Sequence, residues 1–256
     1  MMKKTSLFIY FIVALLLLAG CSSSTNTLPT GIPRITDSPD PNTRGYGNKI
    51  KGDILFNNLP WGTTREEVYS TLKQLFPNIE ERKCEEKEYG KTKEVICTYK
   101  NSSWYSEVGK VGDMTVDEIK VWYICEDGKY NYNMYRAEYE SDEYLSYKAM
   151  VEMLVYKYGK PYSHYEEKSS SMGSTFDVDW YVWSNNEESQ KLRVEKNNNL
   201  LNWGAAIGHG LGTSSQQSVT ITYYDVFVSN YVSYQARQYN DQQKEIEMQN
   251  KNYNGL

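Results

Sequence analysis

The chain is poor in the residues that most often carry chemistry. Its 256 residues include two histidines and four cysteines. No C-x-x-C occurs, and His164 and His209 lack the local Cys/His spacing of a zinc site, so no metal is expected. No G-x-S-x-G elbow surrounds a serine, and no Walker-type glycine loop ends in lysine, so the usual signals of acyl hydrolysis and nucleotide binding are missing. Positive charge is the minority sign, with 28 Lys+Arg against 33 Asp+Glu and a formal net charge of −5. That balance argues against nucleic acid as a partner and against electrostatic attraction to anionic lipid. The apolar run Leu7–Ala19 is too short to span a bilayer as a helix. With no catalytic constellation visible, the expectation is a protein without enzymatic activity and without a cofactor.

What is present begins at the N-terminus. Lys3 and Lys4 precede the apolar run, which ends in Leu18-Ala19-Gly20-Cys21 followed by three serines. The layout is that of a secretory signal with small residues at its end. Residues 18–21 resemble the lipobox of bacterial lipoproteins. The resemblance implies removal of residues 1–20, acyl chains on Cys21, and a chain anchored by lipid to a bacterial membrane on its extracytoplasmic side. An ordinary signal peptide cut near Gly20 is the alternative. Two or three acyl chains hold a protein firmly where one holds it marginally. Cleavage would remove two lysines and no acid, leaving the mature chain more acidic still. Residues 21–49, with Pro29, Pro33, Pro39 and Pro41 among Ser, Thr, Asn and Gly, show no apolar periodicity and read as a disordered linker.

The remainder reads as α+β. Thr64 with Glu67 three residues on is a capping box, and Val68, Leu72, Leu75 and Phe76 form one helical stripe ended by Pro77. Glu66 and Glu67 suit the first turn of that helix rather than acid–base chemistry. Val95, Cys97 and Tyr99 alternate as a strand, as do Ile119, Val121, Tyr123 and Cys125. Asp127-Gly128 predicts a two-residue hairpin placing Cys125 opposite Tyr130, Tyr123 opposite Tyr132, and Val121 opposite Met134. A second helix is predicted from Ser141 or Asp142, with Tyr147, Val151, Leu154 and Tyr158 as its stripe and Gly159 and Pro161 as its stop. Residues 101–114 and 166–174 read as loops. Strands are then expected at 176–182, 192–194 and 219–223. Helix starts near Thr64 and Asp142 suggest a repeat of about 78 residues. The predicted architecture is two tandem units, 50–140 and 141–228, each a helix on a three-stranded antiparallel sheet, followed by a polar C-terminal helix or tail, 229–256, capped by Ser229.

Gly62-Thr63-Thr64-Arg65-Glu66-Glu67-Val68 resembles the helix start of the small outer-membrane lipoprotein family of the β-barrel assembly machinery. Leu154 with Tyr158-Gly159-Lys160-Pro161, then Asp179-Trp180-Tyr181, resembles that family's helix end and first strand. The resemblance implies a lipid-anchored, helix-on-sheet module that acts by protein contact without catalysis. The family is a single short unit, whereas here each predicted unit holds half of the motif.

Candidate site residues are few. Cys84, Cys97 and Cys125 are exported with the chain, so a disulfide is allowed and one thiol is left over, with Cys97–Cys125 and Cys84–Cys97 as competing pairings. The stretch Leu200–Gly212 is glycine-dense and nearly uncharged, and reads as a mobile connection or as a binding loop presenting Trp203 and His209. His209 has no nucleophile and acid patterned around it, so a general-base role has no support. Asp177 and Asp179 lie on one strand face with Tyr181 and Trp183, and are expected to be solvated. Tyr181 and Trp183, with Trp122 and Tyr135, form an aromatic face suited to stacking on a glycan or a partner. The functional expectation is a membrane-anchored protein-interaction module, with binding of a glycan or small molecule through the aromatic face or the glycine-rich loop as the alternative.

Overall fold

The computed structural model describes residues 49–103, 106–142, 147–171, 174–202 and 213–253. Cys21, the linker up to residue 48, and residues 203–212 of the glycine-rich stretch, with Trp203 and His209, lie outside these residues, whereas Leu200–Asn202 form the end of a strand. Chain order is α1 (Arg65–Leu75), β1 (Ile79–Tyr89), β2 (Thr92–Asn101), β3 (Gly109–Val111), β4 (Met114–Val116), β5 (Glu118–Glu126), β6 (Tyr130–Ser141), α2 (Tyr147–Tyr158), β7 (Ser163–Ser171), β8 (Ser174–Ser184), β9 (Gln190–Asn202), β10 (Thr213–Asp225) and α3 (Val226–Tyr253).

This corrects the expectation of two tandem helix-plus-three-strand units. Eight strands form one antiparallel sheet in the order β1-β2-β5-β6-β10-β9-β8-β7, with β3–β4 as a separate hairpin. The predicted boundary at residues 140 and 141 falls at the end of β6, and β6 pairs directly with β10 from Val219↔Ser141 to Tyr224↔Arg136. All described residues lie in one compact unit. Each half is a helix followed by a four-strand meander, and the last strands of the two meanders meet at the centre. The strands not expected are the β3–β4 hairpin, which takes up the end of the predicted 101–114 loop, and the two sheet edges, β1 and β7, with sequences IEERKCEEKEY and SHYEEKSSS. Dense charge and few apolar side chains suit an edge, where they discourage further strand pairing.

One face of the sheet holds the main core. Val95, Cys97, Tyr99, Ile119, Val121, Tyr123, Tyr139, Val219, Ile221, Leu192, Val194 and Trp183 are buried on it. α1 covers the first half of this face with Val68 and Leu72, and α2 covers the second with Tyr147, Met150 and Leu154. At the start of α1 the Thr64 N–H donates to the Glu67 carboxylate (3.1 Å), and Gly62, at φ 89°, donates its N–H to the Met134 carbonyl. Positive φ makes glycine the suitable residue there. The β3–β4 hairpin fills the gap between the helices. A Cβ on Gly109 would lie 2.6 Å from the Phe76 ring, and one on Gly112 2.7 Å from the Met153 sulfur. The incoming chain is strapped across the same face. Ile50 bonds to Ser184, and Phe56 packs on Tyr139 and Tyr223 with ring centroids 5.1 and 5.8 Å away.

The hairpin after β5 also differs from expectation. The Lys129 N–H bonds to the Glu126 carbonyl, Gly128 has φ 73°, and Glu126 pairs with Tyr130, so three residues make the turn. Gly128 is the third residue of the four-residue turn 126–129, a position where a positive φ favours glycine. Two register shifts follow, so Tyr123 faces Met134 and Val121 faces Ala137. α3 starts at Val226, three residues before Ser229, because Asp225 Oδ1 accepts the Val228 N–H (3.0 Å). Among the described residues, no helix is long and apolar enough to cross a membrane.

Candidate functional site

Among the described residues, the second face of the sheet is covered over one half and uncovered over the other. Over β1, β2, β5 and β6 it is covered by the first turns of α3. Tyr231 donates to Glu126 (2.6 Å), Tyr239 packs edge-on against Tyr89, and Ile124 and Tyr135 are buried beneath. Tyr135 donates to the Glu94 carboxylate. Burial beside that carboxylate pushes the Tyr135 hydroxyl well above its ordinary range, and the half-exposed Tyr89, which donates to the same group, is pushed up to about 12.

Beyond α3, the same face carries a polar groove of about 350 Å³. Its floor is the central strand β10. Val219, Ile221 and Tyr223 point into the main core, so alternation sends Ser218, Thr220, Thr222 and Tyr224 to the groove as a row of hydroxyls. Each side of this row carries an Arg-x-Glu. Arg136 and Glu138 lie on β6, Arg193 and Glu195 on β9, and Thr222 stands opposite both Glu138 and Arg193. Within each pair, charges two residues apart on one strand face join. Arg136 Nη2 is 3.0 Å from Glu138 Oε2, and Arg193 likewise pairs with Glu195. Thr222 adds a bond to Glu138 (3.1 Å).

Each guanidinium also lies against a tryptophan of the next strand outward. The Arg136 guanidinium carbon is 4.3 Å from the Trp122 ring centroid, and that of Arg193 is 4.9 Å from Trp180, which stacks in turn on Tyr165. A cation over an indole face contributes roughly 0.5–1 kcal/mol at an exposed site. More to the point, the stack and the ion pair together fix each planar group. Asn197 extends the β9 wall, and Ser229 on the first turn of α3 closes one end. Four groove atoms are covered yet have no hydrogen-bond partner among the described residues: Arg136 Nε, Arg193 Nε, Asn197 Oδ1 and Ser229 Oγ. An unmade bond on a buried polar group costs roughly 1–3 kcal/mol, so their concentration at one place marks the groove off from the rest of the surface.

The residues proposed from sequence are placed elsewhere. Trp183, expected on an exposed aromatic face, is a core residue. It is 1 % exposed, and its indole N–H donates to the Gly159 carbonyl (2.9 Å) at the end of α2. Tyr181 is half-buried on the same face, stacked on His164 at 4.1 Å. The inward and outward faces of β8 are therefore the reverse of those expected, because both carry aromatics and α2 selects the Trp183 side. Tyr135 is buried under α3, and only Trp122 of the expected aromatic set borders the groove, beneath Arg136. Asp177 and Asp179 share the Tyr181 face but act apart, pairing with Lys196 (3.2 Å) and His164 (2.7 Å). Cys84 and Cys97 stand opposite each other and form the disulfide, while Cys125 is free and half-buried. Among the described residues the grouping of potential metal ligands is Glu81 with Cys84 and Cys97, and the disulfide uses both sulfurs.

The groove was missed from sequence, although its signals are there. Arg136-Ala-Glu138 and Arg193-Val-Glu195 repeat one pattern, and Ser218-x-Thr220-x-Thr222-x-Tyr224 alternates hydroxyls with core residues. No family model, no curated protein and no solved structure matches the chain.

Proposed function

We propose that this chain is a lipid-anchored protein of a bacterial cell envelope that acts by binding, without a reaction of its own, and that its contact site is the groove on β6, β10 and β9. The observation that carries this reading is the paired arrangement itself. Two tryptophan-backed Arg–Glu pairs flank one row of hydroxyls, and unpartnered polar atoms occur in the pairs themselves and at Asn197 and Ser229 on the groove's margin. Such a floor recognises by hydrogen bonding rather than by apolar burial, and the fixed planes of the guanidiniums lower the entropy lost on binding. The sequence alone favoured protein contact over ligand binding, and the groove reverses that order. The anchor rests on Cys21 and the small residues before it. The linker would set the domain's distance from the membrane.

Two measurements on the full chain in its producing cell test this. The mature N-terminal peptide is expected to begin at Cys21 with acyl chains attached, and Cys21→Ser is expected to move the protein out of the membrane fraction. A photo-crosslinking residue in place of Ser218 is expected to give a defined adduct that the same residue at Lys148, on the exposed side of α2, does not give. An unmodified N-terminus refutes the anchor, and equal labelling from both positions refutes the groove.

A further inference from the structure

The groove's chemistry selects among ligands, and this step rests on the binding role just proposed. We infer that the groove takes a neutral, hydroxyl-rich ligand, an oligosaccharide lying along β10. Its charged lining is Arg136 and Arg193 against Glu138 and Glu195, one acid for each base. Each guanidinium is already joined to its own carboxylate. A phosphate, a sulfate or an acidic peptide would have to break an ion pair or lie against Glu138 or Glu195, and a cation would meet the same obstacle with the signs reversed. A lipid chain would lie on Ser218, Thr220 and Thr222 and leave their hydroxyls without water.

A sugar hydroxyl meets none of these objections. It donates and accepts at once, so it can give its proton to a Glu195 oxygen while accepting from a neighbouring guanidinium N–H, with no net charge brought in. The Ser218 and Thr220 hydroxyls turn to suit either role, Thr222, which donates to Glu138, can still accept, and Asn197 offers a carbonyl and an amide. The shape agrees. From Ser218 to Tyr224 the floor runs about 20 Å, and β6 and β9 lie about 10 Å apart across β10. A groove longer than it is wide suits two or three linked rings better than one compact molecule. Its volume, 350 Å³, is near the lower end of the range of ligand sites, roughly 300–1,000 Å³. The lining is more polar than is usual for such sites, so affinity is expected to be modest.

The test is a titration of the full-length protein, held in a detergent that contains no sugar, with maltotriose, cellotriose and chitotriose, read by tryptophan fluorescence and by indole NMR shifts. At least one trisaccharide is expected to saturate with Kd between about 10 μM and 1 mM. Raising salt from low to high should change that Kd less than twofold, because no charge is exchanged. The double variant Thr220→Val/Thr222→Val, with unchanged near-UV circular dichroism, should bind at least tenfold more weakly, and Glu195→Gln should do the same. If the double variant does not fold, Glu195→Gln, a surface change, carries the comparison. The inference is overturned if no trisaccharide binds more tightly than about 5 mM, or if the variants bind as the parent does. It is also overturned if inorganic phosphate or an oligoglutamate peptide binds in a salt-sensitive way while the sugars do not. That last result would remove the ligand class and leave the groove as a binding site, whereas failure of the Ser218 crosslink would remove the site itself.

Discussion

The two halves of the sheet share an order of elements and differ in what lies on their second face. In the first half, α1 covers one face and α3 the other, so β2, β5 and the Tyr130–Tyr135 end of β6 are enclosed on both sides, while Arg136 and Glu138 farther along β6 line the groove. In the second half, α2 covers one face, and no helix among the described residues covers the other. The side chains follow the cover. Under α3 the outward positions are Ile124, Tyr135 and the bonded carboxylate Glu94, all buried. Past α3 the outward positions of β10 and β9 become Ser218, Thr220, Thr222, Arg193 and Glu195. Strand alternation is the same in both halves, so alternation alone does not decide whether an outward position is core or site. One helix, started by Asp225 at the end of β10 and turned toward the first half, makes that decision.

The sharpest way to break this comparison is through the face that both halves bury. Trp183→Ala removes the largest fully buried side chain, in the second half, and strands the Gly159 carbonyl. A loss of about 3–5 kcal/mol is expected in urea unfolding. A loss below about 1 kcal/mol would return Trp183 to the surface role expected from sequence. Next in size is the disulfide, which is confined to the first half. Cys84→Ser/Cys97→Ser releases a cross-link of sequence separation 13 between an edge strand and its neighbour. A loop of this length corresponds to about 2–4 kcal/mol, and the thermal midpoint of the native protein should fall equally on reduction.

What was legible in the sequence depended on contrast between the faces of an element. α1 was readable because its cap, its acidic first turn and its apolar stripe all agree. The inner strands β2 and β5 alternate apolar with polar and were readable too. β1 and β7 were not, since an edge strand of Glu, Lys and Ser has no apolar period to see. β8 was found, but with its faces exchanged. Phe176, Val178, Trp180 and Val182 are as apolar as Tyr181 and Trp183, and only α2 distinguishes them. The pairing of β6 with β10, separated by the whole second meander, has no local signal at all. The groove depends on that pairing, so its two Arg-x-Glu patterns could be read as neighbours only after the topology was known.

Two substitutions compare the second face directly. Tyr135→Phe, under α3, leaves the buried Glu94 carboxylate short of a donor and should cost about 1–3 kcal/mol. Thr222→Val, in the groove, removes one bond to Glu138, which keeps Arg136, and should cost less than about 1 kcal/mol. Equal costs would mean that both halves are equally closed. Burial of tyrosine on either face also has a pH signature. Burial raises the Tyr89, Tyr99, Tyr123 and Tyr135 hydroxyls above their ordinary value of 10, Tyr89 to about 12. Between the unfolded and the folded values the native state holds more protons, so stability falls as pH rises through that window. The stability these groups contribute is intact below about pH 10 and lost progressively above it. Tyrosinate absorbance should therefore rise together with loss of near-UV circular dichroism, and reversible ionisation in a fully native spectrum would refute the burial.

The smallest expected effect concerns α3 itself. Its first turns hold the comparison together, for Tyr231 and Val232 are buried and Tyr239 meets Tyr89. From Asp241 to Asn250 every residue is exposed, including Ile246 and Met248. A polar helix segment of this length has little stability of its own and borrows its order from the turns before it. Ending the chain after Asn240 should therefore change unfolding free energy by less than about 0.5 kcal/mol, with a loss of far-UV helix signal and no change at Trp183. Ending it after Ser229 should instead uncover Ile124 and Tyr135 and destabilise the first half by several kcal/mol, since about two core side chains lose their cover. If both truncations cost the same, α3 is not what divides a closed half from an open one, and the groove would need another explanation for being where it is.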